Sequence, residues 1–287
     1  MTQTAPDNFT IPVPQNYTMT LPPPTADPAA SVQHMVRQAQ EVPIPMPSDG
    51  LITLPGGWRD PSGLIRRTAE VRELSGADEE ALSRSTAKGG QFNPLRFVQL
   101  VEERGLTSID GVPADQAMRD SLLIGDADAI RLAIRIATYG PDYPTELVCP
   151  ECGVRSKVAF ELDKDIPMRT LPDPENLWRT IPLRGDGRTA TVRLVTSLDQ
   201  SIALSDPQRT GAEVDTVLMA RVVQEIDGVP VTGESSLRHA SAGDRRAISK
   251  YLTETQPGPQ LGEVKGTCPA CSAEVETPLS LPALFLL

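Results

Sequence analysis

The sequence predicts an α+β chain. A small lobe of helices and strands is followed by a second α+β lobe set between two cysteine hairpins, and an extended proline-rich arm precedes both. Three observations carry this reading. The four cysteines fall into two Cys-Pro-x-Cys pairs far apart in the chain, Cys149/Cys152 and Cys268/Cys271. Helical and strand periodicities alternate before the first pair and again between the two. Prolines crowd the beginning of the chain, at Pro12, Pro14, Pro22, Pro23, Pro24, Pro28, Pro43, Pro45, Pro47 and Pro55.

The arm is assigned to residues 1–62. Proline density favours extended or polyproline conformations and leaves no periodic apolar face. One exception lies within residues 27–41, where Val32, Met35, Val36 and Ala39 share a helix face. A helix this short is marginal alone in water and needs a surface to pack on. The arm is therefore either a disordered tail or a segment that becomes ordered along a neighbouring subunit.

The first lobe covers residues 63–144. A strand at 65–74 meets a turn at Ser75-Gly76, and a helix opens on Asp78, Glu79 and Glu80, whose charges complement its dipole. A second helix is capped by Asn93, carries Pro94 in its first turn and ends at Gly105, with Leu95, Val98, Leu100 and Val101 inward. Asp110-Gly111 marks a hairpin or an exposed loop. A third helix runs from Asp126 to Gly140 and buries Ile130, Ala133, Ile134 and Ala137.

Strands at 145–148 and 158–162 flank the first cysteine pair within residues 145–165; strands at 262–265 and 274–278 flank the second within 261–287. Between them, residues 166–260 form the inserted lobe. It contains a β-hairpin with Gly185-Asp186-Gly187 at its tip and alternation from Thr191 to Val195. Helices follow: one beginning near Asp199, one over 214–225 that stops at Ile226-Asp227-Gly228, and one over 242–254 broken by Pro257-Gly258. There is no solenoid-type repeat, although the two cysteine hairpins resemble each other. The apolar run 279–287 is too short to span a bilayer and suits a tail tucked onto a core or a partner.

Two CxxC turns supply four thiolates, a complete tetrahedron for one metal ion. Structural zinc at Cys149, Cys152, Cys268 and Cys271 is the first reading, with two hairpins meeting at the metal as a zinc ribbon. A rubredoxin-like iron site has the same ligands. Redox-active dithiols are the third reading, but a thioredoxin-type CxxC leads into a helix, and neither pair precedes a helical pattern.

Net charge is -11 and aromatics are 4% of residues. Both argue against a nucleic-acid groove, and the charge also against an anionic membrane surface. No apolar run has transmembrane length, and the N-terminal residues do not read as a signal peptide. A reducing compartment suits metal-bound thiols.

No catalytic residue is assigned, and an enzyme is not expected. His34 and His239 are isolated on polar segments, and there is no nucleophile elbow, dinucleotide fingerprint or phosphate loop. Asp199, Asp227 and Asp244 sit at element ends, where aspartate bonds the local backbone. Adjacent Arg245 and Arg246 face solvent or a partner. Four cysteines leave a metal no open position for substrate.

Several stretches in order carry a resemblance. They are VRELSGADEEALS, SLLIGDADAIRLAIRIATYGPDY, the first CPECG with VAFELDKDIPMRTL, VRLVTSLDQSIA, VVQEIDG with AGDRRAISKYL, QPGPQLGEVKGTCPAC and the closing LPALFLL. From about Val71 onward the chain resembles tailed-phage baseplate hub and tail-assembly proteins that carry a split zinc ribbon. The resemblance implies zinc ligation by Cys149, Cys152, Cys268 and Cys271, with Ser272 standing where such ribbons usually have glycine. It also implies a structural role in the tail baseplate of a phage or a contractile injection system, after synthesis in the bacterial cytoplasm. The expected partners are other baseplate and tail proteins, held through residues 1–62 and present in multiple copies, with no nucleic acid and no membrane. A transient tail-assembly factor and a nucleic-acid-binding zinc-ribbon protein are the alternatives.

Overall fold

The computed structural model describes residues 48–87, 92–276 and 279–285, all belonging to one unit, Met46–Leu287. The helix expected at 27–41, His34 and most of the arm lie outside the described residues.

Strand β1 (Ser48–Arg59) pairs antiparallel with β2 (Ile65–Arg72), which corrects the arm boundary: residues 48–59 belong to a sheet. Proline is tolerated because the register breaks between Thr53 and Trp58, and Pro55 sits in that bulge. Helix α1 (Gly76–Ala87) and helix α2 (Pro94–Gly105) follow. Asn93 caps α2 by accepting the Arg96 N–H. The buried face of α2 is Phe97, Val98, Leu100 and Val101, while Leu95 is half-buried; the expected face was rotated slightly off the core.

Strands β3 (Leu106–Ile109) and β4 (Val112–Pro113) complete a meander in the order β1-β2-β3-β4. Asp110 and Gly111 both have positive φ, 45° and 75°, as a two-residue hairpin turn of matching twist requires. A short helix α3 (Gln116–Ser121), not foreseen from periodicity, is capped by Asp115 and leads into α4 (Ile124–Tyr139). Helix α4 ends at Gly140, φ 80°. It buries Ile130 and Ile134 as expected, leaves Ala133 and Ala137 half-buried, and also buries Asp126, Arg131 and Arg135.

Strands β5 (Asp142–Val148) and β6 (Arg155–Glu161) form the first cysteine hairpin. Strand β7 (Met168–Arg169) precedes the hairpin β8 (Trp178–Pro182) and β9 (Thr189–Arg193). Next come α5 (Ser197–Ala203), α6 (Gly211–Val222), β10 (Val223–Ile226), β11 (Val229–Pro230), α7 (Glu234–Arg238) and α8 (Ala242–Thr255). The helix expected over 214–225 stops at Val222, because Val223 to Ile226 pair with β9 instead. Strand β12 (Gly258–Pro259) pairs with β7. Strands β13 (Lys265–Thr267) and β14 (Glu274–Glu276) form the second cysteine hairpin, and α9 (Leu281–Phe285) ends the described chain. The strand expected at 262–265 begins at Lys265, after a 3-10 turn at Leu261–Glu263.

Among the described residues two large hydrophobic cores result, beside a small cluster of Cys149, Cys268 and Val275. The first joins Leu54, Ala69, Val101, Ile109 and Ile130 to Val158 and Phe160 of β6, Val264, and Leu284 and Phe285 of α9. The apolar C-terminal run is thus part of the first core. The second gathers Ile181, Val192, Met219, Val222, Leu237 and Ile248.

The two cores are built alike. The second sheet has the order β11-β10-β9-β8, the same meander as the first, with two helices between its hairpins and two after. Local chemistry repeats with it. Asp78 bonds the Ser75 N–H and hydroxyl at the mouth of α1 and pairs with Arg72 and Arg104; Asp199 does the same for Thr196 with Arg193 and Arg221 at α5. The turn Ile109-Asp110-Gly111-Val112-Pro113 returns as Ile226-Asp227-Gly228-Val229-Pro230, and Asp227 and Gly228 have φ 52° and 74°. Gly125-Asp126 in the first turn of α4 returns as Gly243-Asp244 in α8. Each copy ends in one cysteine hairpin. The chain is therefore a twofold repeat of one β-hairpin, helix-pair, β-hairpin, helix-pair module, a pattern a search for solenoid periods does not detect.

Candidate metal centre

Each cysteine pair occupies a six-residue knuckle closing a two-stranded hairpin. Val148 faces Arg155 across the base of the first, and Thr267 faces Glu274 across the base of the second. In the first, the Gly153 N–H donates to the Cys149 carbonyl at 2.9 Å and the Cys149 N–H to the Val154 carbonyl at 3.1 Å. In the second, the Ser272 N–H donates to the Cys268 carbonyl at 2.8 Å and the Cys268 N–H to the Ala273 carbonyl at 2.9 Å. Gly153 has φ 70° and Ser272 φ 60°. Serine thus takes up the left-handed conformation that glycine supplies in the first knuckle, and the two turns are the same.

Close packing brings the knuckles together. A Cβ on Gly266 of β13 would lie 2.8 Å from the Phe160 ring and 2.9 Å from Val158, both on β6. Glycine there lets one hairpin lie directly across the other. All four Sγ atoms then fall within 4.8 Å of one another, with Cys149 to Cys271 at 3.7 Å and Cys152 to Cys268 at 3.9 Å. A tetrahedron with metal–sulfur bonds of roughly 2.3 Å has edges of about 3.8 Å, so the spacing suits a metal ion. Among the described residues no other group of three or more His, Cys, Asp or Glu side chains is arranged to hold one.

The donor chemistry agrees. The N–H groups of Ala270 and Cys271 pull the Cys268 thiol down to about 6. The Ala273 N–H favours a thiolate at Cys271 too, but the Cys152 sulfur, burial and the Cys149 and Cys268 sulfurs outweigh it and push that thiol up to about 12. Four sulfurs this close cannot all ionise unless a cation offsets their repulsion. Cys149 and Cys268 are buried, whereas Cys152 and Cys271 are exposed. Both knuckles run on into strands, β6 and β14, rather than into the helix of a thioredoxin-type dithiol.

A second feature went unread in the sequence. Gly125 at the start of α4 lies against the Pro257–Gly258 backbone that follows α8, and a Cβ on Gly125 would fall 1.4 Å from the Pro257 carbonyl oxygen. Around that contact the Ile124 N–H donates to Val195 O at 3.1 Å, the Ser197 N–H to Leu122 O at 2.8 Å and the Leu171 N–H to Pro55 O at 2.9 Å. The two copies are therefore joined here as well as at the sulfur cluster, and Gln99 of α2 adds a bond to Ser201 of α5 at 2.6 Å. Asp126 is wholly buried at this joint. Burial drives its carboxyl up to about 6 despite the N–H groups of Gly56 and Gly57 and the charge of Arg67. The signal in the sequence was the Gly-Asp pair recurring at the same helix position.

His239 is exposed at the end of α7, and its Nδ1 lies 2.8 Å from the Ser235 carbonyl. Among the described residues no helix is long and apolar enough to cross a membrane.

No curated protein and no solved structure matches the chain. A family model described as T4 bacteriophage base plate protein matches residues 107–239, from β3 through α7 and across the joint between the two copies. Over residues 107–239, a little under half of its length, the chain is similar to a tailed-phage baseplate protein family.

Proposed function

We propose that the chain is a structural component of the baseplate of a phage or a phage-derived contractile tail, and that Cys149, Cys152, Cys268 and Cys271 hold a structural zinc ion. The observation that carries the role is the baseplate family match over residues 107–239. The sulfur spacing and the absence of an open ligand position support the metal and its structural character.

The role is geometric. A zinc ion would tie the end of the first copy to the end of the second, adding on the order of 10 kcal/mol to the folded state. Residues 1–47 supply a proline-rich segment suited to lying along a neighbouring baseplate subunit.

Quantitative mass spectrometry of tail-like particles, purified by density from the producing cells, tests the role. A stoichiometric ratio to known tail subunits supports it. Recovery in the soluble fraction alone overturns it in favour of a transient assembly factor. Native mass spectrometry of the purified chain tests the metal: one zinc per chain is expected, and iron or no metal rejects the zinc assignment.

A further inference from the structure

The repeat allows one copy to be read against the other. In the first copy, Trp58 is buried to 5% exposure, and its indole Nε1–H donates to Ser121 Oγ at 2.9 Å. The bulged, long β1–β2 hairpin brings it there. Ile109 and Leu122 belong to the same core as Trp58 and are fully buried.

The second copy lacks this tryptophan. Its β8–β9 hairpin is shorter, turning through Gly185 and Gly187 straight after the Leu183 N–H bonds Arg188 O. The counterparts of Ile109, Leu122 and Ser121 are Ile226, Ala240 and His239, each placed by its distance from the repeated turn or the start of the last helix. Ile226 and Ala240 are only half-buried, and Val229 is 67% exposed. They line a groove of about 450 Å³ together with His239, Ser236 and Asp244.

The polar groups of this groove suit the same kind of guest. His239 Nδ1 faces a carbonyl, which only accepts, so in the neutral ring Nε2 is the acceptor. That is the role Ser121 Oγ plays toward Trp58. Asp126 accepts the Gly56 N–H at 2.7 Å, just ahead of Trp58. Its counterpart Asp244 is 2% exposed; its Oδ2 accepts from Arg188 at 2.7 Å, and its Oδ1 has no hydrogen-bond partner among the described residues.

We propose that this groove is a docking site for a tryptophan side chain carried on an extended segment of a neighbouring protein. The internal Trp58 contact is its template. The indole fills the space between Ile226, Val229 and Ala240 and donates to His239 Nε2, and a backbone N–H ahead of it reaches Asp244 Oδ1. A buried aromatic anchor in a pocket is how a small contact gains affinity. The proposal rests on the repeat and not on the baseplate role.

The probe is a synthetic peptide copying residues 54–59, Leu-Pro-Gly-Gly-Trp-Arg, titrated into the full chain and followed by backbone amide NMR. Saturable shifts confined to residues around Ile226, Val229, His239 and Asp244 are expected. Replacing the peptide tryptophan by alanine should weaken binding at least about tenfold, the cost of one large apolar side chain. In the protein, Ala240→Trp should fill the groove and abolish binding. No shift at millimolar peptide, shifts elsewhere, or equal binding by the alanine peptide would each overturn the proposal, and the peptide comparison stands even if Ala240→Trp fails to fold.

Discussion

Asp126 accepts the backbone N–H of Gly56 at 2.7 Å across seventy residues of sequence, and its other oxygen, Oδ2, has no hydrogen-bond partner among the described residues. One carboxylate thus ties the bulge of β1 to the first turn of α4 at the joint between the two copies, where burial holds its carboxyl up at about 6 rather than the usual 3.8. Between those values the folded chain binds a proton that the unfolded chain releases. Stability from this group is therefore present at low pH and is lost as pH rises from about 4 through 6, by on the order of 3 kcal/mol. Asp126→Asn keeps an acceptor for Gly56 and removes the titration. Urea midpoints measured from pH 4 to 7 should show a fall in the wild type that is flattened in the variant. The same slope in both proteins would reject this account.

Gly125 and Gly243 hold equivalent positions with different neighbours. A Cβ on Gly125 meets backbone at Pro257 and Gly258, which cannot move without opening the joint; one on Gly243 meets the Arg184 side chain, with Cδ at 2.8 Å. Gly125→Ala should destabilise the fold by about 3 kcal/mol or more. Gly243→Ala should be near neutral, since Arg184 can swing away and alanine favours the helix by up to about 1 kcal/mol. Equal losses in the two variants, by chemical denaturation, would mean that the joint is not as closely packed as described.

Ser272 and Gly153 make the same turn with unequal ease. A non-glycine residue in the left-handed region costs roughly 1 kcal/mol, so Ser272→Gly should stabilise the knuckle by about that much and Gly153→Ala should weaken it similarly. Both effects should appear in chelator competition, as a higher and a lower apparent metal affinity. Removal of the metal, or Cys149→Ser, should lower the unfolding temperature far more than either. If a strong chelator leaves that temperature unchanged, the sulfur cluster holds no structural metal.

Much of this was readable from the residues because local chemistry decided it. Asn93 and Gly140 bound helices where capping rules put them, and Asp110-Gly111 makes its hairpin because few other pairs tolerate two positive φ angles. The cysteine spacing declared itself for the same reason. What escaped was decided by tertiary contact. Pro55 disguised β1, since the bulge that excuses a proline is visible only once β2 is in place. Val223 continued a helical pattern until its pairing with Val192 claimed it for a strand. Arg131 and Arg135 lie outside the stripe expected to be buried on their helix, yet both are buried, Arg131 against Glu102 at 2.7 Å. The repeat stayed hidden because its shared residues are few and scattered: a capping aspartate with its arginines, one turn, one Gly-Asp pair and one cysteine pair per copy.

Arg135 has no such counterpart and marks where the copies diverge. Its guanidinium is 1% exposed and faces carbonyls rather than a carboxylate, with Nε donating to Leu284 O at 2.5 Å and NH1 to Gly140 O at 2.9 Å. The Tyr139 ring lies 5.0 Å from its Cζ. Carbonyls at the ends of α4 and α9 are the negative poles of those helices, which is what allows a charge to be buried there. The C-terminal helix is thus held on the first core by apolar packing of Leu281, Leu284 and Phe285 and by this one cation. Arg135→Met should cost about 2–4 kcal/mol, and truncation after Ser280 should cost more, because both the packing and the carbonyl partner go. Without α9 the guanidinium has already lost Leu284, so Arg135→Met in the truncated chain should cost markedly less than in the full one. A double-mutant cycle should therefore give a coupling of about 1–3 kcal/mol. Strictly additive losses would show that Arg135 serves its own helix end and not the tail.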